Sequence, residues 1–473
     1  MRRILVIGGG YAGFYTAWKL EKKLRRGEAE VVVVDPRPYM TYQPFLPEVV
    51  SGSVEARHAA VSLRRNLHRT KVVSGSVIAI EHAQRSVTIR PSQGPDFPMS
   101  YDVLVVTAGA VTRTFDVPGI AERAIGMKHV EEAVAIRDRL LTAFDEASGL
   151  EPGPIRRRLL TITYVGGGFS GVEGFGELLS LATSLLKLYP ELSQSDLAFH
   201  LVEATGRILP EVSDKPGQWV VSMLEQRGAE VHLNTTVRSA EDGHVVLSDG
   251  SEFDSELIVW TAGNAATRLM RNHTDLPHTE RGLVQVCADL RIGTDANPVT
   301  DAWAAGDDAA VPDLASGTEG TFTVPNAQNA VRQGKLLAKN LVRTLRGREP
   351  KPYVHHSLGA VATLGLGKGI FQYRGIVIKG LLAWLMHRGY HVLAVPTWDR
   401  KVRVFAIWVA ATFYGRDVVS LASVQRPREA FATAAGVPAL SSHRPAASSE
   451  PVDSGESVES VDSGESVSSS QPG

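Results

Sequence analysis

Ile4-Leu5-Val6-Ile7-Gly8-Gly9-Gly10-Tyr11-Ala12-Gly13 is the stretch on which the fold turns. Four apolar residues in a row suit a strand buried on both faces, and the glycines after them permit a tight turn into a helix. Ala12–Leu24 sets apolar or small residues at 14, 17, 20 and 24, which predicts an amphipathic helix. Val31–Val34 reads as a second buried strand, closed by Asp35, 22 positions after Gly13. In such a unit Gly8, Gly10 and Gly13 let a pyrophosphate approach the backbone, where free N–H groups and the helix dipole hold it. Asp35 is placed to accept hydrogen bonds from a ribose. A glycine turn alone is a weak signal. Set between two strands, with an acid at that distance, it is a strong one.

The pattern recurs. Gly166-Gly167-Gly168-Phe169-Ser170-Gly171 follows the apolar run Leu160–Val165. A helix is predicted over Gly171–Leu188, stopping before Pro190, with Lys187 complementing its C-terminal dipole. Glu203, ending the run Ala198–Val202, stands where Asp35 stands in the first unit. An acid there repels a 2′-phosphate and favours NADH over NADPH, a preference that nearby Arg207 moderates. Thr107-Ala108-Gly109 and Thr261-Ala262-Gly263 each end an apolar strand, and Ala302–Asp308 reads as another strand ending in Gly306-Asp307. The expected class is therefore α/β, with two Rossmann-like dinucleotide-binding domains. Two such units suggest two dinucleotides, one bound tightly as FAD and one exchanged as NAD.

Composition narrows the function. The chain has 473 residues, with 50 Lys+Arg against 51 Asp+Glu, so no basic excess argues for nucleic acid. Its one cysteine, Cys287, excludes an internal disulfide, a cysteine-rich zinc site and any electron relay through a cysteine pair. Met1-Arg2-Arg3 runs straight into the first strand, whereas a secretory segment needs about 7–15 apolar residues. No run reaches the roughly 18 apolar residues of a membrane span. The histidines show no metal-ligand spacing, so no metal is expected; His355-His356 would diverge on a strand. Residues 425–473 are rich in Ser, Pro, Ala and Glu and repeat Val-Asp-Ser-Gly-Glu-Ser-Val at 452 and 461, which reads as a disordered tail.

With both glycine turns, Gly306-Asp307, and Ala327-Gln328-Asn329-Ala330 with Gly334, the chain resembles the two-dinucleotide-domain flavoprotein reductases. Within that group it is most similar to the type II NADH:quinone oxidoreductases, from residue 1 to about 425. The resemblance implies a discontinuous FAD domain at 1–117 and 280–345, and an inserted NADH domain at 118–279. A membrane-associating region at 346–424 and the tail follow. It implies that Asp307 holds the ribityl–phosphate part of FAD, bound non-covalently, and that the helix starting near Ala327-Gln328 faces the isoalloxazine. Gln43-Pro44 and Val77 fall where the family wraps the cofactor.

The resemblance also assigns chemistry. Disulfide reductases of the group carry a Cys pair within the stretch that here reads Tyr39–Glu48, which has none, so electrons must pass directly from flavin to acceptor. Gly171-Val172-Glu173 matches the family motif residue by residue. Glu173 is the candidate catalytic group between nicotinamide and flavin; read locally, it is a first-turn carboxylate favoured by the helix dipole. Two departures stand out. Phe175, flanked by Gly174 and Gly176, replaces a small residue, and Arg332, followed by Gln333, replaces a second quinone-site Gln. Gln328, Arg332 and Gln333 are the quinone-site candidates.

From 355 to 416, eight basic residues (Lys368, Arg374, Lys379, Arg388, Arg400, Lys401, Arg403, Arg416) face one acid, Asp399, and three of seven tryptophans fall here: Trp384, Trp398 and Trp408. Such a segment suits an anionic membrane surface, which places the protein peripherally on the cytoplasmic face. An ordinary domain-packing or dimer helix is the plainer alternative, because apolar faces also bury against protein. Two rival functions remain: a soluble NAD(P)H-dependent reductase of a ferredoxin-type protein, and a nucleotide-responsive flavoprotein that signals or binds a partner.

Overall fold

Arg2–Ile7, the strand that opens the chain, lies inside a six-stranded sheet of the computed structural model, which describes residues 1–318, 320–357, 359–421 and 428–435. It pairs in parallel with Ala29–Asp35 on one side and Val103–Val106 on the other. Thr70–Ser74 extends the sheet beyond Ala29–Asp35. Asn297–Ala304 returns from far along the chain to pair in parallel with Val103–Val106, and Arg291–Thr294 closes the edge antiparallel. Ile4, Leu5, Val6 and Val103–Val106 are buried, as an apolar run without alternation requires when both faces of the sheet are covered.

A second sheet is wholly parallel, in the order Ala124–Gly126, Leu257–Trp260, Thr161–Val165, Ala198–Val202, Ala229–His232. The apolar runs Ile4–Ile7, Val31–Val34, Leu160–Val165 and Ala198–Val202, and those that end before Thr107 and Thr261, are all strands of these two sheets. The two strands Ala110–Thr112 and Asn264–Ala266 pair antiparallel where the chain passes between them. Strands Ala360–Thr363, Gly369–Tyr373 and Ile376–Lys379 form a small sheet, followed by helices Leu381–Ala394 and Trp398–Tyr414. Among the described residues no helix is long and apolar enough to cross a membrane.

Several local expectations are corrected. The second glycine turn leads into a helix over Phe169–Leu185, not Gly171–Leu188, so Lys187 lies past its end. Its third glycine falls inside the first turn because the helix must pack back on the strand: a Cβ at Gly171 would sit 1.9 Å from the Gly166 carbonyl oxygen. His355-His356 lie on an irregular segment rather than a strand. A separate unit from Arg426 contains a short helix, Glu429–Ala434, within the segment read as disordered; the rest of that tail lies outside the described residues.

Candidate functional site

The two glycine turns are built alike, atom for atom. In the first, a Cβ at Gly13 would sit 1.8 Å from the Gly8 carbonyl oxygen and 2.7 Å from Thr107 Oγ1. In the second the matching distances, from Gly171 to Gly166 and Thr261, are 1.9 and 2.6 Å. Only hydrogen fits, so the helix is held against its strand. By contrast, a Cβ at Gly10 or Gly168 would meet nothing within 4 Å. These two N-cap positions border open space, and neither helix, Tyr11–Lys23 nor Phe169–Leu185, has a side-chain cap or an acid in its first turn. Uncapped N–H groups facing a void are what an anion such as pyrophosphate requires. The acids correspond as well. Asp35 Oδ2 accepts from the Gly9 N–H at 2.7 Å, and Glu203 Oε2 from the Gly167 N–H at 2.6 Å. Burial raises the Asp35 pKa, opposed by the N–H groups of Gly9 and Arg37.

Both turns open on one cleft of about 970 Å³. It is lined by Gly8, Gly10, Asp35, Gln43, Ala108, Gly109, Gly306, Asp307, Ala327, Gln328 and Arg332 from one side, and by Gly168, Gly171, Glu173 and Gly263 from the other. Of the remaining predicted residues, Gly13 and Gly166 support their turns from behind, Glu203 anchors Gly167 outside the lining, and Val77 lies in strand Ser76–Glu81 away from it. Gln333 is turned away from the acceptor candidates. Its Oε1 accepts from the Gly306 N–H at 2.9 Å and its Nε2 donates to Thr323 Oγ1, so it holds the Gly306-Asp307 turn. Asp308, missed in the sequence, does similar work: buried, it accepts from the Ala108 N–H at 2.6 Å, and burial raises its pKa to about 7. Burial also raises Asp307, with Lys128 opposing.

Glu173 is the fifth residue of its helix, in the second turn, so the first-turn dipole reading does not hold. Its buried carboxylate instead meets the C-terminal region: Oε1 accepts from the Thr363 N–H at 3.0 Å and pairs with His387 Nε2 at 3.1 Å. Burial opposes charge on His387, but the neighbouring Glu173, with Glu48 and Glu177, outweighs it and raises the pKa. The His387 and His391 rings lie 4.4 Å apart, and His391 Nδ1 is 3.2 Å from the Tyr42 hydroxyl. Burial, then the charge on His387, hold the His391 pKa well below its usual value. A line of titratable groups thus runs from Glu173 along the floor of the cleft, where His391 is part of the lining.

Two further buried carboxylates fasten the same region. Glu48 Oε2 pairs with Arg388 at 3.1 Å and accepts from Trp408 Nε1 at 2.6 Å. Glu177 pairs with Arg416 at 3.3 Å and accepts from Thr363 Oγ1 at 2.7 Å. Trp408, Arg388 and Arg416 therefore face inward and are not available to a lipid surface, contrary to the sequence reading. The unusual Phe175 packs between Tyr164 and Phe199, and Gly176 leaves room for the Leu364 backbone, which a Cβ would approach to 2.8 Å. Cys287 is buried, which raises its thiol pKa to about 11 and leaves it unsuited to thiolate chemistry.

One grouping departs from the expectation of no metal constellation. His200, Glu230 and His232 bring three possible ligand atoms together. His200 is 30 and 32 residues from Glu230 and His232 in sequence and meets them only through strand register.

The family model for pyridine nucleotide-disulphide oxidoreductases matches residues 2–334. The chain belongs to this family. It is 29% identical over 420 residues to a type II NADH:quinone oxidoreductase of Mycobacterium tuberculosis, covering 86% of this chain and 87% of that one. It is 27% identical over 414 residues to the demethylphylloquinone reductase of a Synechocystis strain, covering 86% and 95%. Among solved structures, NDH2 from Plasmodium falciparum in complex with NADH superposes with a TM-score of 0.80 at 16% identity, covering 88% of this chain and 99% of that one. These similarities bear out the resemblance to type II NADH:quinone oxidoreductases and the α/β dinucleotide fold. Within a family named for a disulphide, this chain has a single cysteine.

Proposed function

We propose that the protein oxidises NADH and reduces a quinone, with FAD held non-covalently at the first glycine turn. The observation that carries this reading is the convergence of two matched, uncapped helix N-termini on one cleft. Bound FAD supplies two-electron chemistry, taking a hydride and passing electrons onward. Gly8, Gly10, Asp35 and Asp307 would hold it, with Gln43, Ala108, Gly109, Gly306, Ala327 and Gln328 around it and Gly13 backing the turn; Val77 lies away from the cleft. The FAD domain comprises 1–117 and 280–345. NADH binds the inserted domain, 118–279, through Gly166, Gly168, Gly171, Glu203 and Gly263. With one buried cysteine in the chain, no thiol pair can intervene, and the electrons leave to an acceptor beside Gln328 and Arg332.

Glu173 stands between the two halves of the cleft and takes part in proton delivery to the acceptor. His387 Nε2 pairs with it at 3.1 Å, and His391 and Tyr42 continue the line of proton carriers. The region 346–424 docks on a membrane face through what it leaves exposed. Leu382, Leu393, Trp398, Phe405, Phe413 and Tyr414 are each more than half exposed, and Lys401 and Arg403 lie on the same helix as the last four. That combination favours a lipid-soluble quinone over a ferredoxin-type acceptor. Purified holoprotein should oxidise NADH with a soluble quinone, at a rate cut at least about tenfold by Glu173→Gln with flavin retained. Turnover with ferredoxin but not quinone would overturn the assignment.

A further inference from the structure

The geometry points to a binding site for one divalent transition-metal ion of the zinc class, formed by His200, Glu230 and His232 on the outer edge of the second sheet. Register creates it. Ala198–Val202 and Ala229–His232 pair in parallel with His200 opposite Glu230 and Val202 opposite His232, so the three side chains share one face. His200 Nδ1 lies 3.2 Å from His232 Nε2 and 3.6 Å from Glu230 Oε2, and the remaining side of the triangle is 3.9 Å. Ligand atoms about 2.0–2.1 Å from a tetrahedral zinc ion stand roughly 3.3 Å from one another, so small side-chain movements suffice to close on an ion.

The supporting residues suit the task. Phe253 stacks on the His200 ring at 3.8 Å and 15°, which fixes the plane of the imidazole. Asp249 Oδ2 lies 3.6 Å from His232 Nδ1. A carboxylate on that side favours the proton at Nδ1 and leaves the Nε2 lone pair directed at the triangle, the usual outer partner of a metal-bound histidine. The two imidazole side chains are 7% and 14% exposed, while Glu230 is 65% exposed. The site therefore opens to solvent on the carboxylate side, where water completes the coordination. Two imidazoles and one carboxylate select zinc, cobalt, nickel or copper over magnesium or calcium, which require oxygen donors. The bland alternative is a single hydrogen bond between the two rings.

The site clamps the last two strands of the sheet. The His232 carbonyl accepts from the Glu203 N–H at 2.8 Å, so the clamp ends beside the acid that anchors the second glycine turn.

The test uses full-length holoprotein, stripped with a chelator and titrated with Co²⁺. One equivalent should bind per chain and give the visible difference bands of tetrahedral cobalt, displaced by Zn²⁺, with a rise in melting temperature. Glu230→Gln alters an exposed side chain and leaves folding intact; it and His232→Gln should each weaken binding at least about tenfold and remove the thermal shift. Asp249→Asn should weaken it about tenfold. Absence of a one-equivalent cobalt signal, or a signal unchanged in both Glu230→Gln and His232→Gln, would overturn the site and leave only the hydrogen-bonded ring pair.

Discussion

Replacing Glu173 by Gln tests the buried pair beneath the cleft through its dependence on pH. His387 is fully buried, and its raised pKa has one direct partner, Glu173 at 3.1 Å, with Glu48 and Glu177 acting at longer range. A histidine whose folded pKa lies above its unfolded value contributes stability that is complete below the unfolded value, about 6.5, and lost as pH rises through the folded one. Glu173→Gln keeps an acceptor for the Thr363 N–H but removes the charge. Burial then dominates and His387 sheds its proton on folding. Breaking a buried pair costs about 3–5 kcal/mol. Because His387 can neutralise, the lower end applies, about 3 kcal/mol at pH 6. Toward pH 9, as the pH rises through the raised His387 pKa, the loss falls toward that of an altered hydrogen bond alone, about 1 kcal/mol. Urea unfolding of both proteins at the two pH values measures the difference. An equal loss at pH 6 and pH 9 would refute the assignment of His387 as the charged partner.

Further outcomes follow from the same geometry. Gly10→Glu places a carboxylate where the anion belongs and Asp307→Ala removes the acid beside the cleft, so both proteins should purify largely colourless; flavin that survives full unfolding of the wild type would contradict non-covalent binding. Glu203→Gln should narrow the preference for NADH over NADPH, and equal wild-type kcat/KM for the two cofactors would remove the basis for it. Glu48→Ala strands the Arg388 guanidinium and the Trp408 N–H in a buried site and should cost about 3–5 kcal/mol in urea unfolding. Replacing Trp398, Phe413 and Tyr414 together by Ser should release the protein from anionic vesicles in co-sedimentation. Equal binding would defeat the membrane assignment, and a shift in oligomeric state without loss of vesicle binding would assign the apolar face to a second copy of the chain.

What the sequence carried was whatever depends on neighbours along the chain. Buried parallel strands are short unbroken apolar runs, so they were legible, and each glycine turn announced the start of its helix to within two residues. The start of the second helix was misjudged because its third glycine, Gly171, belongs inside the first turn, which also moved Glu173 out of that turn. Contacts between distant segments left no local trace. Glu48 meets Arg388, Glu177 meets Arg416, and His200 meets His232 through folding and register alone. Gln333 was a quinone-site candidate through the family resemblance alone, and its amide instead meets Gly306 and Thr323. The basic excess near the C-terminus was real in composition, although Arg388 and Arg416 are taken up by buried carboxylates.

The central claim, direct passage of electrons from NADH to a quinone without a thiol relay, is tested most directly by an anaerobic two-step experiment. NADH is mixed with the yellow holoprotein in stopped flow, and the reduced protein is then mixed with a soluble quinone or a ferredoxin. The expected result is rapid loss of the flavin absorbance with one equivalent of NADH, full and rapid return with one equivalent of quinone, and slow return with ferredoxin. Bleaching that quinone fails to reverse at a rate matching turnover would contradict it.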